Sequence, residues 1–151
     1  MTPGEAPSPR RPRPAGRSAA RRRAVVLLYQ RDVTGLPIDA LVENAVRAGE
    51  TPPDDFTREL VEGVEAERAA LDEAITAAAV GWTAERLAPL ERNILRVAVH
   101  EIRSRPDVPP AVSIDEAVSL ARRYCQPQAA AFVNGILGRI AAEEAGLARG
   151  S

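Results

Sequence analysis

From Arg17 onward, apolar residues recur at steps of three and four, and no stretch alternates with a period of two. That pattern predicts helices and no strands. A first helix is expected from about Arg17 to Arg31, with Val25, Val26, Leu28 and Tyr29 on its apolar side, ending before Gly35. Pro37 or Asp39 starts a second, in which Ile38, Leu41, Val42, Ala45 and Val46 make one stripe, and Gly49 closes it. The run from Thr51 to Asp54 places prolines in a first turn and acids at the positive end of a helix dipole. It opens a long third helix to about Val80, buried through Phe56, Leu60, Val61, Val64, Leu71, Ile75 and Ala78, with Gly81 as its stop. Trp82 and Leu87 then flank Thr83 as a hydrophobic staple would, around a single short turn.

The segment from about Pro89 to Ser104 is apolar over most of its circumference, through Leu90, Ile94, Leu95, Val97, Ala98, Val99 and Ile102. Such a helix sits in the middle of a bundle. Only Arg92, Arg96, His100 and Arg103 make a polar stripe along it. The proline-laden loop from Arg105 to Pro110 cannot continue the helix. Ser113 and Glu116 have capping-box spacing at the start of the next one, where Ile114, Ala117, Val118, Ala121 and Tyr124 face inward. After Pro127 a last helix carries Phe132, Val133, Ile136, Leu137 and Ile140. On another of its faces Ala131, Gly135, Gly138 and Ala142 form a strip of small residues. Each glycine costs a helix about 1 kcal/mol relative to alanine, so a closely packed second backbone is expected there. The sum is an all-α, single-domain bundle of about seven helices over residues 17–145. A disordered Pro/Arg-rich tail (1–16) precedes it and a short tail (146–151) follows.

Charge adds an asymmetry that the net value of -1 conceals. Residues 1–23 hold seven arginines and one glutamate, for +6, and residues 24–151 hold thirteen arginines against twenty acids, for -7. A basic arm running straight into a packed helix suits a polyanionic partner, because guanidiniums are permanently charged planar forks of donors. The alternative is a solvated tail. One cysteine, Cys125, excludes an intrachain disulfide and a thiolate metal cage. The lack of any run of about 20 apolar residues excludes a membrane-spanning helix. With no hydrophobic segment in the proline-rich start, the expectation is a soluble cytoplasmic protein.

Catalytic chemistry finds little foothold. His100 has neither a second histidine nor a cysteine or serine near it in sequence, and reads as a solvated or interfacial histidine. Cys125 reads as a small buried hydrophobe. The pairs Asp54-Asp55 and Glu143-Glu144 lie at helix ends, and no phosphate-loop or dinucleotide signature occurs. A binding protein without cofactor or metal is the better class.

Several motifs in register then resemble one family. Leu-Glu-Arg-Asn-Ile-Leu-Arg-Val-Ala-Val-His-Glu-Ile from Leu90, Arg-Pro-Asp-Val-Pro-Pro from Arg105, Ser-Ile-Asp-Glu-Ala-Val from Ser113 and Phe-Val-Asn-Gly-Ile-Leu from Phe132 are similar to NusB proteins. So is the arginine-rich start ending in Leu-Leu-Tyr-Gln. The resemblance covers about Arg17 to Ala142 and implies a fold of about seven helices with no catalysis and no cofactor. It implies binding to boxA RNA together with NusE, a small-subunit ribosomal protein, within an RNA polymerase antitermination complex active in ribosomal RNA synthesis. Carried over by position, Arg17 and Arg21 fall on the RNA-binding arm, with Arg22 and Arg23 as added charge. Phe132 matches a position of RNA contact, where it either stacks on a base or is simply core. Tyr29 and Glu91 match positions of NusE contact, against burial for the first and an ordinary helix-start acid for the second. The stretch Pro127-Gln128-Ala129-Ala130-Ala131 departs from the family's Glu-Asp-Ser-small-Lys. Gln128 thereby replaces an acid on the RNA edge, and a lysine and a hydroxyl are missing. Two other readings stay open: the NusB-like module of a ribosomal RNA cytosine methyltransferase, disfavoured by the absence of a cofactor-binding segment before Ser151, and a self-associating helical protein that pairs as a homodimer.

Overall fold

The computed structural model describes residues 14–150, with side-chain surroundings from residue 16 to residue 147. Six α-helices follow in order: α1 Pro14–Thr34, α2 Ile38–Arg47, α3 Asp55–Ala78, α4 Pro89–Ser104, α5 Pro110–Tyr124 and α6 Ala129–Gly150. The expected short turn before α4 is a 3-10 turn at Ala84–Arg86, which makes up the seventh element. No strand occurs among the described residues. α1 starts three residues earlier than its sequence start at Arg17, and α6 continues past residue 145 to Gly150. Most of the tail expected at 1–16 lies outside the described residues.

The stop and start signals act through identifiable bonds. Gly49 has φ +103°, and with it the Gly49 N–H donates to Val46 O and the Glu50 N–H to Ala45 O, both at 3.0 Å. This pair of bonds caps α2 in the Schellman arrangement, which needs the left-handed conformation that glycine reaches without steric cost. Asp54 is the N-cap of α3, where its Oδ1 accepts from the Thr57 N–H at 2.8 Å.

α4 is the axis of the bundle, packed on α1, α3, α5 and α6. α1 runs antiparallel to it, since Arg21 meets Glu101 at one end and Asp32 meets Asn93 near the other. α6 runs in the same sense as α4, and Arg103 reaches Glu144 at the far end. The core joins Leu28, Leu60, Val64, Leu71, Ile75, Ile94, Leu95, Val99, Ala117, Ala121, Ile136, Leu137 and Ile140 from all of these elements. No described helix is long and apolar enough to cross a membrane.

Several sequence expectations are corrected. The polar stripe of α4 is only partly open to solvent: Arg96 and His100 are buried, Arg92 is half-buried and Arg103 is exposed. Arg96 is 5% exposed and donates from Nε and NH2 to the two carboxylate oxygens of Asp72 at 2.7 Å each, and from NH1 to Asp32 at 3.0 Å. His100 is buried, with Nδ1 3.1 Å from Glu67 Oε1. Its ring fills the space beside Gly63 that a Cβ would occupy, so any Cβ there would collide with it. The bend in α3 falls at Glu67, whose φ of -112° and ψ of 16° leave the helical region, one turn beyond this inserted ring. Close helix packing thus occurs at Gly63. The expected strip on α6 has none, since a Cβ on Gly138 would meet nothing and one on Gly135 only Arg139.

No capping box forms. α5 starts at Pro110, placing Ser113 inside its first turn, buried with an unpaired hydroxyl, while Glu116 accepts instead from Ser18 of α1 at 2.9 Å. Nor does a staple form around Thr83. Leu87 is buried but Trp82 is half exposed, and the free Ala84 N–H is satisfied by Thr76 Oγ1 at 2.9 Å. Tyr124, expected inside, is 47% exposed.

Candidate nucleic-acid interface

The first half of α1 sorts its arginines by helical position, each step of one residue turning the side chain by about 100°. Arg21 points into the bundle and is 4% exposed. Its Nε donates to both oxygens of Glu101 at 3.0 Å, and its NH1 lies 3.7 Å from Glu116. Glu101 is itself 1% exposed, so the two charges compensate each other out of water. The expectation that Arg21 presents its guanidinium outward is therefore corrected: its partner is inside the protein.

Arg17 lies at the same end, over the ring of Phe56 at 4.5 Å and 3.6 Å from Asp107. Arg105 approaches the same ring at 5.1 Å, holds Asp107 through two hydrogen bonds and also reaches Glu59. Those hydrogen bonds raise the Arg105 guanidinium above its ordinary value and keep the Asp107 carboxyl below its own. Arg17 retains substantial side-chain exposure, so it faces solvent while tethered.

Arg23 donates to Thr51 O at 2.5 Å and lies 3.5 Å from Glu50. Arg22 is exposed and has no hydrogen bond or ion pair among the described residues. Both line a surface depression of about 450 Å³ between α1, α4 and α5, together with Val26, Leu90, Leu120 and Tyr124.

Gln128 and Phe132 lie at the other end of α4. Gln128 is exposed, and Phe132 is half-buried against the core. Glu91 borders a depression of about 370 Å³ with Tyr124, Cys125, Gln126 and Pro127. Burial raises its carboxyl, and burial together with the nearby Glu91 charge raises the Cys125 thiol. Tyr29 is half-buried on α1. At about 1.5 Å per residue, the ten residues from Glu91 to Glu101 separate the two groups by about 15 Å. The sequence-selected residues thus form two groups, with Arg22 and Arg23 between them, rather than one patch.

Glu101, Phe56, Arg105 and Tyr124 escaped the sequence reading of this face. The first three come from distant parts of the chain and carry no local signal. Tyr124 was legible only as an aromatic beside two arginines at a helix end. No group of three or more histidines, cysteines or carboxylates able to hold a metal occurs among the described residues.

The class of protein these elements define is an α-helical bundle whose basic first helix is packed on a buried central helix. A family model described as NusB family matches residues 18–142. A transcription antitermination protein NusB of Thermobifida fusca (strain YX) is 38% identical over 128 residues, covering 85% of this chain and 90% of its own length. Another, of Sorangium cellulosum (strain So ce56), is 43% identical over 129 residues, covering 83% and 91%. The chain belongs to the NusB family. Among solved structures, T. maritima NusB superposes with a TM-score of 0.75 at 29% identity, over 84% of this chain and 91% of that one. A chain from the complex of antitermination factors NusB and NusE with dsRNA superposes with a TM-score of 0.74 at 27% identity, over 84% and 96%.

Proposed function

We propose that this chain is a non-enzymatic transcription antitermination adaptor that binds boxA-type single-stranded RNA together with NusE in the cytoplasm, supporting ribosomal RNA transcription. The observation that carries this reading is family membership across residues 18–142, with a structural match to a NusB chain bound to NusE and RNA. Within it, Arg17, Arg22 and Arg23 supply phosphate contacts from the outer faces of α1. Arg21 is the anchor that fixes that helix through Glu101. Gln128 and Phe132 form the RNA edge at the far end of α4, and Tyr29 and Glu91 belong to the NusE contact.

The test is assembly. Light scattering after size-exclusion chromatography should give a stable complex of this chain with its own NusE, and a larger one when boxA RNA is added. RNA that elutes free from the chain, from NusE and from their mixture alike would overturn the proposal. A homodimer that persists in saturating RNA would favour the self-associating protein instead.

A further inference from the structure

Most described arginines are engaged by carboxylates or carbonyls. Those whose guanidinium makes neither a hydrogen bond nor an ion pair among the described residues are Arg22, Arg58, Arg86, Arg122 and Arg123. Three of these five lie around the end of α5: Arg122 and Arg123 form its last turn, and Arg22 faces it across the 450 Å³ depression. Arg122 and Arg123 also complement the negative end of the α5 dipole, which by itself asks for no aromatic neighbour. Yet between them and the depression stands Tyr124, 47% exposed, with the Arg123 guanidinium 5.5 Å from its ring centroid. Tyr124 and Leu90 are the two residues that line both depressions, the one holding Arg22 and Arg23 and the one holding Glu91, Gln126 and Pro127. The ring therefore stands where a strand passing from the arm toward Gln128 would cross. An exposed aromatic among uncompensated guanidiniums is the combination that binds unpaired nucleotides, with charge holding phosphates and the ring taking a base face. The acids lining these two depressions are Glu50, which is held by Arg23, and Glu91, whose carboxyl burial raises.

We propose that Tyr124 is a base-stacking residue for single-stranded RNA, with Arg22 and Arg123 binding the flanking phosphates, joining the arm to the Gln128 edge. This deepens the RNA-binding reading and rests on it. Titration of the full chain with boxA-type single-stranded RNA tests it. Tyr124→Phe should bind as the parent does. Tyr124→Ala should lose about tenfold, the scale of one stacked base, with an unchanged salt slope because no phosphate contact is removed. Arg22→Ala and Arg123→Ala should each flatten that slope by about 0.7. RNA carrying 5-iodouridine should photocrosslink to the peptide containing Tyr124. Since Tyr124 is a surface residue, unchanged thermal unfolding of the variants will separate lost contact from lost fold. A parent chain that binds RNA while Tyr124→Ala binds equally well, with no crosslink at this peptide, overturns this inference alone. A parent chain that binds no RNA removes it together with the reading beneath it. Loss of NusE binding by Tyr124→Ala with RNA binding intact would make the ring a protein contact and overturn it as well.

Discussion

The guanidinium of Arg21 and the carboxylate of Glu101 meet with hardly any solvent contact. Removing one partner leaves a buried charge without compensation, a loss of about 3–5 kcal/mol. Arg21→Ala should therefore lower the unfolding free energy by that amount in urea titrations, whereas Arg22→Ala should stay within about 0.5 kcal/mol of the parent. Similar losses in both variants would remove the distinction between anchor and contact. The same scale applies at Gly63. A methyl group there must displace the His100 ring, so Gly63→Ala should cost about 1–3 kcal/mol. Adding His100→Ala to that background should recover part of the loss, and a double-mutant cycle measures how much. Neither role was legible in the sequence. Arg21 and Arg22 are identical in type and adjacent, and what separates them is a carboxylate 80 positions away. Gly63 carries no local signal in the sequence, while Gly135 and Gly138 drew attention through a spacing that no neighbour uses.

Among the elements, α1 and α4 are joined by charges at both ends of their contact. Asp32 sits where Arg92, Arg96 and Asn93 converge, at 3.2, 3.0 and 2.9 Å. Burial pushes its carboxyl up, but the Asn93 hydrogen bond and the Arg96 and Arg92 charges outweigh that and hold it below the ordinary carboxylate range. A carboxyl lowered in this way stabilises the fold fully above its unfolded-chain pKa of about 3.9, and the contribution disappears as pH falls through the folded value. Asp32→Asn should thus reduce stability at neutral pH and shrink the further loss on acidification below about pH 4. Urea midpoints across a pH series check this, and an acid limb identical to the parent's would contradict it. Helix existence and most stops were legible because they depend on local signals such as glycine, proline and Asp54. The staple predicted around Thr83 and the capping box at Ser113 were not observed: Trp82 stays half exposed while Thr76 bonds Ala84, and α5 already begins at Pro110 with Glu116 bonded by Ser18. The stripe on α4 was legible as polar, but not the burial of Arg96 and His100 within it, since their partner acids lie on α1 and α3.

At the scale of the molecule, the sequence sets +6 in residues 1–23 against -7 in the rest, and among the described residues part of that negative charge is already bound to Arg17, Arg21 and Arg23. Among the described residues of the proposed RNA face, the guanidiniums that no acid holds are Arg22 on α1 and Arg122 and Arg123 on α5, while Arg17 and Arg23 are paired with Asp107 and Glu50. The bundle and its family were readable from motifs in register, whereas this division of the arginines became visible only once the helices were packed. The most direct measurement is the dependence of boxA-type RNA affinity on salt, for the parent and for an Arg22→Ala/Arg23→Ala variant. The account predicts a log–log fall of about 0.7 per phosphate neutralised, flattened in the variant by about 0.7 to 1.4, with folding unchanged. An affinity indifferent to salt, or a slope identical in the two proteins, would contradict it.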